Sequence, residues 1–187
     1  GNYVNGTRHG AWITEDGEGS FIDGLRDGPW KLKLKDKVTQ SVTFVKGKKQ
    51  GEAVDTDAQG ALRQRDHYQA GVLEGSRTRY LGPAGKEYLI YTATYRNGQL
   101  DGREQAFDDS GKILRLDTLW DKGKKQGLDA RYYPNGKPER LAVVDQGRLL
   151  THLRGRIADV PRVTYQPHAR LRSLPNGMVS YTLSGTS

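Results

Sequence analysis

Residues 3–12 read Tyr-Val-Asn-Gly-Thr-Arg-His-Gly-Ala-Trp, and residues 21–30 read Phe-Ile-Asp-Gly-Leu-Arg-Asp-Gly-Pro-Trp. The shared pattern is an aromatic, a glycine three residues on and a second glycine four further. It begins with Tyr3, Gly6 and Gly10, then Phe21, Gly24 and Gly28, and then Phe44, Gly47 and Gly51. It continues with Tyr68, Gly71 and Gly75, with Tyr95, Gly98 and Gly102, and with Trp120, Gly123 and Gly127. A degenerate seventh copy has Val144 and Gly147 but Thr151 at the second glycine position. The first glycines are 18, 23, 24, 27, 25 and 24 residues apart, the period of a repeat array rather than of chance composition.

A second turn signal follows each pair of glycines: Glu15-Asp16-Gly17, Ala58-Gln59-Gly60, Gly82-Pro83-Ala84-Gly85, Asp108-Asp109-Ser110-Gly111 and Pro134-Asn135-Gly136. The second unit has Lys35-Asp36-Lys37 instead. This pattern makes 18 of the 24 glycines hairpin corners, where a residue with positive φ is needed. Between the turns the apolar period is two: Leu114, Leu116, Thr118 and Trp120 alternate with Ile113, Arg115, Asp117 and Leu119. No 3.6-residue period is sustained. The expected fold is all-β, an elongated antiparallel meander of stacked β-hairpins over residues 1–150. Residues 151–187 break the period. They read as a basic, atypical capping hairpin with its turn at Asn176-Gly177, closing the open edge of the sheet. Tyr3 holds the motif aromatic with no strand before it, as expected if a segment such as an export signal has been removed.

Composition agrees with a thin sheet and excludes several chemistries. Of the 187 residues only 34% are apolar and none is cysteine, so there is no disulfide framework and no thiol nucleophile. Apolar runs such as Tyr88–Tyr91 and Leu141–Val144 are far too short to cross a membrane as a helix. Sixteen aromatics separate the chain from disordered low-complexity sequence. The net charge is +8, and residues 151–187 hold five Arg against one Asp. Such a surplus suits an acidic protein, an anionic lipid or nucleic acid, although turn lysines also serve plain solubility.

The string aromatic-x-x-Gly-x-x-x-Gly-x-Trp, whole at Tyr3–Trp12 and Phe21–Trp30, resembles the MORN repeat. The longer period and Tyr132-Tyr133-Pro134-Asn135-Gly136-Lys137 look like its bacterial, antitoxin-like YwqK type. The tryptophan is absent after the second copy, where Ala53, Arg77, Glu104 and Asp129 stand. The resemblance implies a non-catalytic recognition module. Its expected role is to bind and neutralise a toxic enzyme one-to-one, as an immunity partner of a secreted effector such as a type VI one. The expected compartment is the periplasm or cell envelope, with the cytoplasm as the alternative. The alternative function is an envelope- or lipid-associated scaffold with basic residues on anionic head groups.

Catalytic and cofactor signals are weak. His9, His67, His152 and His168 lack ligand spacing. Gly17-x-Gly19 is only a fragment of a dinucleotide fingerprint. Asp55, Asp57, Gln59 and Asp66 imitate a calcium loop, but Arg63 and Arg65 crowd it and the twelfth residue is not Glu. No cofactor, metal or nucleic-acid partner is expected, and Tyr80, Phe107 and Tyr132 recur in register as packing residues. Arg154, Arg156, Arg170 and Arg172 are the partner-binding candidates.

Overall fold

A computed structural model describes residues 1–145 in full and the main chain of 148–152, 169–173 and 179–183. The strands come in pairs around tight turns. The first six are β1 (Asn2–Val4), β2 (Thr7–Thr14), β3 (Gly17–Ile22), β4 (Leu25–Lys33), β5 (Thr39–Val45) and β6 (Lys48–Thr56). Next come β7 (Leu62–Gln69), β8 (Val72–Leu81), β9 (Tyr88–Arg96) and β10 (Gln99–Phe107). The array ends with β11 (Leu114–Asp121), β12 (Lys124–Tyr132), β13 (Pro138–Asp145) and β14 (Arg148–His152). All fourteen lie in one sheet in chain order, every neighbour antiparallel. The meander is therefore all-β, as its period demands.

The C-terminal hairpin exists but differs from expectation. Among the described residues β15 (Ala169–Ser173) and β16 (Val179–Leu183) form a two-stranded ladder of their own and do not add to the large sheet. A short hairpin loop has little closure entropy, so β15 finds β16 more cheaply than it finds β14, sixteen residues away along the chain. The expected turn at Asn176-Gly177 lies outside the described residues.

In the six complete motifs the first glycine sits in a two-residue turn whose two central residues are both left-handed. Asp23 and Gly24 have φ of 49° and 79°, the geometry that matches strand twist and that makes glycine the natural second residue. Each of these turns after the first is also sewn to the repeat before it. Gly24 N–H donates to the Arg8 carbonyl at 2.9 Å, Gly47 to Arg26 at 2.8 Å and Gly71 to Lys49 at 2.8 Å. Gly98 donates to Leu73 at 2.9 Å and Gly123 to Leu100 at 2.8 Å. Beside them, side-chain acceptors take the N–H of the next turn's leading residue: Asp27 from Lys46 at 2.9 Å, Gln50 from Ala70 at 2.9 Å and Glu74 from Asn97 at 2.7 Å.

The second glycines correct the corner reading. Gly10, Gly28, Gly51, Gly75, Gly102 and Gly127 lie inside the even-numbered strands rather than at turns. From Gly28 onward each sits where the ladder with the preceding strand skips, as between Ser20↔Asp27 and Gly19↔Trp30, which leaves Gly28 and Pro29 unpaired on that side. This is a β-bulge, and Gly28 there has a φ of 80° with open space where a Cβ would be. Backbone conformation, not crowding, demands the glycine. Toward the following strand the same glycines stay in register, the first five opposite the next motif aromatic (Gly10↔Phe21, Gly28↔Phe44, Gly51↔Tyr68, Gly75↔Tyr95 and Gly102↔Trp120) and Gly127 opposite Val144. A fixed offset within a repeat thus becomes a contact between repeats.

The core is one face of this single layer. Tyr3, Trp12, Phe21, Trp30 and Phe44 stack edge-to-face with centroids 5.2, 6.3, 5.0 and 6.2 Å apart. Such pairs each add about 0.5–1.5 kcal/mol beyond area burial. The rings bury one another, leaving Trp30 only 2% exposed without a second layer. Arg8 lies over Trp12 and Phe21, and Arg26 over Trp30 and Phe44, closing the stack from outside. Gly19 passes directly beneath Trp30, and a Cβ there would enter the indole ring. That close approach, not a nucleotide fingerprint, accounts for Gly19. Gly19→Ala should therefore cost about 1–3 kcal/mol by overpacking. Gly28→Ala meets no atom and should cost about 1 kcal/mol from its backbone alone. Urea unfolding of the two variants beside the wild type measures both.

Candidate binding surface

Across the sheet, the position that holds Trp12 and Trp30 changes character after the second repeat. The ladder runs Trp30↔Val42↔Ala53↔Asp66↔Arg77↔Ala93↔Glu104↔Thr118↔Asp129↔Ala142, so all of these share the aromatic face. Large and small residues are interspersed along the row, and ionic bonds take over from ring stacking. Arg77 donates twice to Asp66, at 2.7 and 2.9 Å, and Gln64 and Tyr68 also donate to that carboxylate. Glu104 accepts from Tyr91 and Trp120, both at 2.9 Å. Asp129, 1% exposed, accepts from Thr118 at 3.0 Å and Lys125 at 2.9 Å, with Arg140 3.5 Å away. The bidentate contact holds the Arg77 guanidinium even more firmly protonated than usual, while burial and the Glu104 bond push the Tyr91 phenol up. Arg77→Ala leaves the Asp66 carboxylate buried and unpaired, and should destabilise by about 3 kcal/mol. The double replacement Asp66→Leu with Arg77→Leu should recover much of that, read from the midpoints of the three variants.

Arginine and lysine divide the basic surface between them. Arg26, Arg63, Arg65, Arg77, Arg96, Arg103 and Arg140 each pair with a carboxylate. Of the lysine ammonium groups in residues 1–145, only those of Lys49 and Lys125 reach a side-chain partner among the described residues. The free ones crowd most densely in Lys31-Leu32-Lys33-Leu34-Lys35-Asp36-Lys37, where all four lysines are exposed. The tip of this segment is a 3₁₀ turn, Lys35–Lys37, in which Asp36 and Lys37 both have left-handed φ of 56° and 59°. Nowhere else among the described residues do two consecutive non-glycine residues take that conformation, at a cost of order 1 kcal/mol each.

The face opposite the aromatic stack is open over β2–β6. It forms a trough of about 950 Å³, lined mostly from that side by Ala11, Ile13, Ser20, Pro29, Ser41 and Thr43, with Glu18, Lys31, Glu52 and Val54. Ile13 is 79% exposed on its wall. Lys31 lines the trough and leads directly into the strained tip.

The sequence-derived sites fall unevenly. Arg154 and Arg156 lie outside the described residues; Arg170 and Arg172 occupy β15, two residues apart, at register positions opposite Thr182 and Ser180. Asp57 of the calcium-like string is a turn former: it accepts from the amides of Gln59 at 3.0 Å and Ala61 at 2.9 Å and from Arg63 at 2.9 Å. Among the described residues no group of three His, Asp or Glu side chains is arranged to hold a metal ion. The lysine run was missed as a site. Its signal was visible in lysine at every second position, which puts Lys31 and Lys33 on one strand face.

Acid should destabilise the array. The Thr14 hydroxyl and Arg26 hold the Asp16 carboxyl low, as the Ala61 amide does Asp57 and the Ser110 hydroxyl Asp108. Burial works to raise Asp129, but the Lys125 and Thr118 bonds and the Lys125 and Arg140 charges outweigh it and hold it low. A depressed carboxylate stabilises the fold above its unfolded value near 4, and that contribution is lost as pH falls through the lower folded value. Asp55 is opposite: burial raises it despite the Gln40 bond, so its ionisation opposes folding as pH rises. The melting temperature should fall between pH 5 and pH 3. Asp55→Asn should raise it at pH 7, the gain vanishing by pH 3; calorimetry across that range checks both signs.

A scan against protein-family models finds no match to the chain, and a search of curated proteins finds none either.

Proposed function

We propose that this chain is a MORN-type, non-catalytic binding module that captures a toxic partner protein one-to-one and neutralises it. The observation that carries the reading is the pre-organised open trough of about 950 Å³ on β2–β6. The strands beneath it are locked repeat by repeat through the turn-to-carbonyl hydrogen bonds. A face held rigid before contact loses little ordering entropy on binding, which favours a tight inhibitor over a loose adaptor. The repeat register adds support, because it keeps the surface continuous and lets side chains vary from unit to unit without disturbing the backbone.

The periplasm or envelope is the compartment in which such an immunity role fits. The second reading, an envelope- or lipid-associated scaffold, draws on the free turn lysines. Co-expression with any secreted toxic protein found encoded beside this gene tests the first reading. Growth should be restored, and the purified pair should elute as a one-to-one complex with nanomolar affinity and a silenced toxin. No rescue, or binding no tighter than micromolar, would sink it. Flotation with anionic vesicles at low and physiological salt tests the second, which fails if the chain stays with the soluble fraction at both.

A further inference from the structure

We propose that the lysine tip of β4 and its 3₁₀ turn, Lys31, Lys33, Lys35 and Lys37, docks an extended acidic segment of the partner protein, which then runs into the adjoining trough. This rests on the protein-binding reading and names its contact surface. Three observations converge. The four ammonium groups lie within seven residues, all exposed and none ion-paired among the described residues, although Glu18 stands directly across from Lys31 in the ladder. Seven arginines are used on the array's own carboxylates, whereas these lysines are charge left available. The turn that presents them keeps Asp36 and Lys37 left-handed where the outer turns ending at Gly60, Gly111 and Gly136 use glycine. Backbone strain retained at an exposed, charged tip points to a role there rather than to folding economy. Finally, Lys31 lines the trough itself, giving the segment a continuous path from tip to groove.

Spacing selects the occupant. Lys31 and Lys33 are two residues apart in a strand, about 6.8 Å, and so are carboxylates at alternate positions of an extended peptide. Such a peptide matches the Lys31 and Lys33 pair, and the turn presents Lys35 and Lys37 just beyond it. A flat anionic membrane fixes no such spacing, and an oligonucleotide, whose phosphates repeat at a similar distance, is a competing arm of the test below.

The probe is a fluorescein-labelled peptide of eight Glu-Thr units, followed by anisotropy at physiological salt. It is titrated with wild-type protein, with K31E/K33E/K35E/K37E, and with K46E/K48E/K122E/K124E, which reverses the same charge at four other free lysines. The tip variant should bind about tenfold or more weakly than the control variant. A peptide of equal charge with paired glutamates, Glu-Glu-Thr-Thr four times, should bind several-fold more weakly than the alternating one. Melting curves establish that both variants are folded. Equal losses in the two variants, equal binding of the two peptides, or no binding by the wild type would each overturn the proposal. Stronger tip-dependent binding of a sixteen-residue oligothymidylate or of vesicles with 30% phosphatidylglycerol would overturn it too. If the peptide binds at the tip but no toxin is neutralised, the functional reading fails and the surface stands. Full neutralisation by the tip variant gives the reverse.

Discussion

The hydrogen bond from the first glycine of repeats two to six to a main-chain carbonyl of the repeat before it is the constraint on which the sheet depends. A single-layered sheet has no opposing layer to fix its shape, so repeats must hold one another through their edges. Gly47 N–H on Arg26, Gly71 on Lys49 and their counterparts do this at the turn end, where strands would otherwise fray. The acceptors Asp27, Gln50 and Glu74 reinforce the same seam. Every further feature of the array is built on the register so enforced.

Register explains how one backbone carries two kinds of core. In the first repeats, a tryptophan beside the small Gly19 and Val42 lets aromatic rings close over the sheet. Beyond Ala53 the same positions carry Arg77, Glu104 and Asp129, each bonded to groups on strands alongside. A buried carboxylate is tolerable only with partners, and Asp66 and Asp129 have them. Packing thus passes from rings to ion pairs while the ladder stays unchanged. That leaves the opposite face free to form the trough and the lysine tip free of internal partners.

Much of the fold was legible beforehand. Spacing alone revealed the number of repeats, the hairpins and the antiparallel meander, because tight turns and strand alternation are local rules written in adjacent residues. The glycine count was right and its interpretation half right. A glycine in a bulge and a glycine in a turn both need positive φ, and sequence cannot separate them unless the cross-strand partner is known. The candidate site was less legible still: nomination fell on tail arginines, while of the lysine run only Lys35-Asp36-Lys37 was read, as a turn, and the run proved to be the densest group of unpaired lysines among the described residues.

By itself, the sequence determined the repeat, the strand-and-turn alternation and the absence of any thiol or membrane-length helix. Those follow from residue types and from spacings shorter than one unit. Only the tertiary structure decided which glycines bulge, which arginines are consumed by Asp66, Asp117 and Asp129, and which lysines remain unpartnered. The ion pairs join residues 11 to 14 positions apart in the chain and on neighbouring strands about 5 Å apart, a proximity that exists only once the register is set.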